Sequence, residues 1–98
     1  MKLTTSQVRY LRSLAHSLKP VVMVGANGIT EGLLDELSNA LATHELIKVK
    51  VRAEEREERD EIIELLCRKS GAQNIQRVGH VLTLFKRNSD KPKINLPK

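Results

Sequence analysis

Four apolar residues in a row, Val21-Val22-Met23-Val24, run straight into Gly25-Ala26-Asn27-Gly28 and then Ile29-Thr30-Glu31. Such a run suits a strand covered on both faces or lying in the middle of a sheet. The two glycines remove side chains where the chain must turn and where another molecule can approach the backbone. Asn27 tolerates a left-handed conformation better than other non-glycine residues. Thr30 is a good N-cap for a following helix, and Glu31 suits its positive end. A strand, a glycine turn and a helix start aim several free N–H groups outward, which favours an anion, and for a basic chain the matching anion is phosphate. The same four residues also serve as an ordinary turn, so the rest of the chain has to decide.

The formal net charge is +5 over 98 residues, and its distribution says more than its size. Lys2, Arg9, Arg12 and Lys19 give residues 1–19 a charge of +4 with no acid, and Lys48, Lys50 and Arg52 give residues 48–52 a charge of +3. Residues 86–98, which include Lys86 and Arg87, carry +4, whereas residues 53–61 carry −4. Basic segments of this density suggest a polyanion partner, set against the simpler reading of a charged, soluble surface. The length implies one domain near the lower end of self-sufficient cores. No apolar run reaches a membrane span and no secretory leader is visible, which suggests a cytoplasmic protein with no membrane association. Cys67 is the single cysteine, so an internal disulfide is excluded, and His16, His44 and His80 are too scattered for a zinc site.

Thr4-x-x-Gln7 reads as a capping box, with Leu3 stapled to Val8, and opens a first helix that Pro20 is expected to end. Val8, Leu11, Leu14, Ala15 and Leu18 form its apolar stripe, and Arg9, Arg12, His16 and Lys19 a basic edge. A second helix spans about Glu31 to His44, with Leu33, Leu34, Leu37, Ala40 and Leu41 inward. Leu46 to Arg52 is the clearest strand, with Ile47, Val49 and Val51 on a core face and Lys48, Lys50 and Arg52 on a basic face. An acidic run, Glu54 to Glu61, opens a third helix that Gly71 terminates, and Ile62, Ile63, Leu65 and Leu66 form its apolar side. Asn74–Val78 and Val81–Phe85 flank Gly79-His80 as a hairpin. The order is α-β-α-β-α-β-β, an α/β domain with a mixed sheet of four strands, the first three parallel and the fourth returning.

These blocks together resemble the CRM domain (chloroplast RNA splicing and ribosome maturation), most closely its stand-alone bacterial YhbY-like members. The resemblance rests on Leu18 to Gly32, on His44 to Lys50, on the Gly79 hairpin running into Leu84-Phe85-Lys86-Arg87, and on the ending Ile94 to Lys98. It implies an RNA-binding domain over residues 1–87, similar in fold to the C-terminal domain of translation initiation factor three; residues 88–98, polar, basic and proline-containing, are expected to form a flexible tail. It implies further that the loop Gly25 to Gly28 meets RNA, and that the targets are precursors of the large ribosomal subunit. Some relatives carry a basic residue between the two glycines. Ala26 and Asn27 stand there in this chain, which leaves more of the grip to backbone amides.

The expected RNA contacts are therefore Gly25, Ala26, Asn27 and Gly28, with Arg9, Arg12, Lys19, Lys48, Lys50, Arg52, Lys86 and Arg87 adding attraction. Tyr10 and Phe85 are the only aromatics, which disfavours a stacking platform. An enzyme is not expected, with no catalytic residues, metal or cofactor. The third glycine of a dinucleotide fingerprint is missing, the second strand lacks a terminal acid for ribose, and no nucleophile and base cluster together. The alternative to RNA is a protein-binding module that docks ribosomal proteins on its acidic third helix. The free protein is expected to be a monomer.

Overall fold

Residues 2–97 are described by the structure, a computed structural model. Met1 of the expected domain and Lys98 of the expected tail lie outside the described residues. The elements are α1 (Thr5–Ala15), β1 (Pro20–Val24), α2 (Glu31–His44), β2 (Leu46–Val51), α3 (Arg56–Ser70), β3 (Gln73–Val78) and β4 (Val81–Phe85). Their order is the expected one. The strands lie side by side as β1-β2-β4-β3. β1 and β2 are parallel, and β4 runs antiparallel to both β2 and β3. Strands β1, β2 and β3 therefore point one way, with the returning β4 inserted between β2 and β3.

Alternation along β2 explains the layering. Ile47, Val49 and Val51 are buried on the face covered by α2 and α3, together with Leu33, Leu37 and Leu41 of α2, Ile63 and Leu66 of α3, and Leu82 and Leu84 of β4. Lys48 and Lys50 project from the other face and are half-buried. Only part of that second face is covered. There Leu11 and Ala15 of α1 pack on Leu46, Ile75 and Phe85. These residues lie at the end of the sheet where β2 begins, since Leu46 pairs with Phe85. Burying such side chains, at about 1.5–3 kcal/mol each, holds both layers to the sheet.

The helix ends follow local rules. The Thr4 side chain accepts the Gln7 N–H and Gln7 returns the bond to the Thr4 backbone, completing the capping box. Thr30 accepts the Leu33 N–H at 3.1 Å at the start of α2. Gly71 closes α3 in the left-handed region at φ +75°.

Three expectations need correction. β1 is an edge strand and is not covered on both sides. Val22 and Val24 are buried, but Val21 and Met23 are each 51% exposed because α1 does not extend over them. An unbroken apolar run does not distinguish one covered face from two. Second, α1 stops at Ala15, and a turn closed by the Leu18 N–H on the Ala15 carbonyl precedes Pro20, which starts β1. Leu18 is thus 38% exposed outside the stripe, and Lys19 is a loop residue. Third, Asn27 is not left-handed. Gly28 carries that conformation at φ +67°, and Glu45 is the only positive-φ non-glycine residue among those described. The segment after Phe85 supplies the partners of a buried acid.

That acid is Glu45. It ends α2 at φ 62° and is fully buried. Its carboxylate accepts the backbone N–H groups of Asn88 at 2.6 Å, Lys93 at 2.7 Å and Ile94 at 2.8 Å, and the Arg87 guanidinium at 3.3 Å. Arg87 also donates to the Ile94 carbonyl at 2.6 Å. Ile94 and Leu96 then pack against the α1 cluster, and Gln7 donates to the Pro97 carbonyl. Burial alone would raise the Glu45 pKa. The N–H groups of Asn88, Ile94 and Lys93 and the charge of Arg87 outweigh it and hold the carboxyl below its ordinary value.

Candidate nucleic-acid interface

The glycine turn stands at the end of the sheet where β1 and β2 finish. The Gly28 N–H donates to the Gly25 carbonyl at 3.1 Å and closes the turn. A side chain at Gly28 would be strained by its φ. Gly25 has no such constraint, and a Cβ built on it would meet nothing within 4 Å. The fold therefore sets no steric or conformational demand for a bare backbone at Gly25. Ala26 and Asn27 sit exposed at the tip. The capped start of α2 follows directly, so its unpaired N–H groups and positive dipole end lie beside the turn.

β2 connects this turn to α1. Lys48, Lys50 and Arg52 occupy alternate positions from the middle of the strand to its exit, where the Arg52 N–H donates to the Val24 carbonyl at 3.0 Å. At the exit, a groove of about 950 Å³ takes in Met23, Gly25, Ala26, Lys50, Arg52 and His80. Glu54, Glu55 and Glu58 also line it, so phosphate is favoured only close to Lys50 and Arg52. Farther back, Arg12 and Lys19 meet Lys48 around a second groove, between α1 and the open sheet face. Arg12 is partly committed to the fold, because its Nε donates to the Ile75 carbonyl at 3.1 Å.

The structure thus brings together Gly25, Ala26, Lys50 and Arg52 at one groove and Arg12, Lys19 and Lys48 at the other, joined along β2. Asn27 and Gly28 belong to the same turn, and Arg9 continues the exposed basic edge of α1 toward its N-terminus. Lys86 and Arg87 are not part of this face. They follow β4 at the end of the sheet opposite the glycine turn, about 17 Å from that turn along β2 at the usual rise per residue. Lys86 lies near the C-terminal glycine of α3, and Arg87 is bound to Glu45. Reading residues by charge alone did not separate a free cation from a paired one. Sequence reasoning also passed over Thr83, Gln76 and His80. Thr83, a polar residue in the apolar strand Val81-Leu82-Thr83-Leu84-Phe85, was the available signal for the open face.

Elsewhere, α3 is pinned to the hairpin by an Arg77–Asp60 ion pair and by Arg59 donating to the Gly79 carbonyl. Cys67 is half-buried in α3, and burial pushes its thiol pKa up, which suits a packing role. Among the described residues there is no cluster of metal-ligating side chains, and no helix is long and apolar enough to cross a membrane.

The sequence pattern of the CRS1/YhbY (CRM) domain matches residues 3–86, nearly the whole described chain and all seven elements. The chain belongs to the CRS1/YhbY (CRM) domain family. It is 50% identical over 96 residues to a Haemophilus influenzae protein named RNA-binding protein, covering 98% of this chain and 96% of that one. The Bacillus subtilis protein YqeI is 36% identical, with 97% and 99% covered. The solution structure of SAV1595 from Staphylococcus aureus matches with a TM-score of 0.81 at 32% identity, covering 98% of this chain and 100% of the other. The fold inferred from local patterning is therefore the fold of a solved relative. In this CRM domain the glycine turn, the β2 row and the end of α1 lie within the matched span.

Proposed function

We propose that this CRM domain binds RNA through the glycine turn and the basic face of β2, and that its target is ribosomal RNA in precursors of the large ribosomal subunit, whose assembly it assists. The observation that carries the binding is the bare Gly25 backbone beside Lys50 and Arg52, since nothing in the fold requires it. The name of the Haemophilus influenzae relative supports the choice of RNA. The family resemblance supports the ribosomal target. Turn N–H groups and the α2 N-terminus hold one phosphate, while Lys48, Lys50 and Arg52 hold its neighbours. Contacts of this kind position a backbone and make affinity strongly salt-dependent. The proposed role is that of a cytoplasmic binding protein and not a catalyst.

The test is binding to large-subunit ribosomal RNA across a salt series, for the wild type and Asn27→Asp. The substitution adds a negative charge at the turn while keeping the side-chain size. A steep salt slope for the wild type, and much weaker binding by a variant shown to be folded, supports the turn as a phosphate grip. Equal binding by the folded variant reduces the turn to a connection and leaves affinity to the basic residues. No binding by the wild type removes RNA as the partner and turns attention to ribosomal proteins and the acidic α3.

A further inference from the structure

The groove between the C-terminal end of α1 and the open sheet face is left unused by a phosphate grip alone. Its volume is about 520 Å³, ample for a nucleobase. Across its floor, Lys48 of β2 pairs with Thr83 of β4, and Thr83 pairs with Gln76 of β3, so three polar side chains line up across the sheet. Thr83 is only 3% exposed, yet it lines the groove. No hydrogen bond links its hydroxyl, or the Gln76 amide, to another side chain among the described residues. The Thr83 hydroxyl meets the groove rather than closed protein, so it and the half-buried Gln76 amide can hydrogen-bond a ligand seated there. Val78, which is 65% exposed, and Val81 beside it offer apolar contact to a flat ring.

The basic row adds a constraint on the form of the RNA. Alternate residues of a strand stand about 6.6 Å apart, comparable to successive phosphates along an extended single strand. The sheet itself carries one such row. The neighbours on this face, Met23 opposite Lys50 on β1 and Val81 and Thr83 on β4, are uncharged. A duplex presents two phosphate rows across a groove, whereas the open sheet offers a single line of cations.

We infer that the ligand is single-stranded RNA, with one unpaired base seated against Thr83 and Gln76 and its backbone running along Lys48, Lys50 and Arg52 to the glycine turn. This rests on the RNA-binding reading above and adds to it a site that reads a base. Lys19 and Arg12 stand at the rim, where they meet the phosphate on the far side of the seated base. Removing the seat should alter base preference, and removing the row should alter affinity for every sequence alike.

The experiment titrates the full chain with single strands of A, C or U, each of about eight nucleotides, and with a hairpin duplex of similar length. Wild type, Thr83→Val, Gln76→Met and Lys50→Glu are compared after their melting temperatures are measured. The wild type should bind a preferred single strand at least about tenfold more tightly than the duplex. Thr83→Val and Gln76→Met should lose about tenfold on the preferred strand only, with an unchanged salt slope. Lys50→Glu should weaken all strands together and lower the slope by about 0.7 or more. Duplex binding equal to single-strand binding overturns the inference while leaving RNA binding intact, as does an unchanged base ranking in the folded Thr83→Val and Gln76→Met. No binding to any RNA overturns both readings. Should Thr83→Val fail to fold, Gln76→Met on the edge strand decides alone.

Discussion

Glu45→Gln is the perturbation with the most calculable consequence. Oε1 of Glu45 accepts the Lys93 and Ile94 N–H groups, and Oε2 accepts the Asn88 N–H. A glutamine has one oxygen to offer. If it takes the Oε1 position, its amide nitrogen faces the Asn88 N–H, donor against donor, and an unpaired buried donor costs about 1–3 kcal/mol. The two remaining bonds change from charged to neutral acceptors and lose about 1 kcal/mol each. The total of about 3–5 kcal/mol agrees with the usual effect of breaking a buried ion pair. Total stability for a domain of this size is about 5–15 kcal/mol, and each kcal/mol moves Tm by about 4–8 °C. Thermal unfolding at neutral pH should therefore show a fall of at least about 12 °C. Amide exchange at Asn88, Lys93 and Ile94 should accelerate together. A fall under about 4 °C, or unchanged protection of the three amides, would refute the argument that this carboxylate fastens residues 87–97. The pH dependence has a definite sign. A depressed folded pKa means that the contribution of Glu45 is present above its ordinary unfolded value of 4.5 and fades as pH falls through the folded one. The gap between wild type and Glu45→Gln should accordingly narrow in acid.

The two glycines of the turn should separate cleanly. Gly28→Ala should lose about 1–2 kcal/mol, read by denaturant unfolding, because it forces a side chain into the left-handed region. Gly25→Ala should stay within about 0.5 kcal/mol of wild type, because its new methyl meets no protein atom, yet bind RNA more weakly if the proposed phosphate grip holds. Leu37→Ala, at a fully buried site between α2 and the sheet, should lose about 2–5 kcal/mol in the same assay. Cys67 should react slowly with a thiol reagent in the native protein and rapidly once denaturant exposes α3, since it is half-buried with a raised pKa.

Local chemistry was legible before any tertiary structure. The Thr4–Gln7 capping box, the Thr30 cap, the Gly71 stop and the two-residue hairpin are interactions among residues close in sequence, and each formed as read. The alternation of β2 placed Lys48 and Lys50 on a face of their own before the neighbours of that face were known. Where α1 ends was less legible, because Leu18 continues the apolar period although the helix has stopped at Ala15.

Tertiary structure decided which cations are free. Arg87 and Lys50 look alike in a list of basic residues, but Arg87 is paired with a carboxylate 42 positions away and Lys50 lines an open groove. Glu45 itself gave no local sign of its role, because the donors it needs lie 42–49 residues downstream and are mostly backbone N–H groups, which any residue but proline supplies. The edge position of β1 and the insertion of β4 between β2 and β3 are likewise contacts between distant segments. Thus capping, turn chemistry and side-chain period, which act over a few residues, could be read from the order of the amino acids. Pairing, burial and the exposure of a charge depend on what the folded chain brings alongside, and only the assembled sheet supplies that.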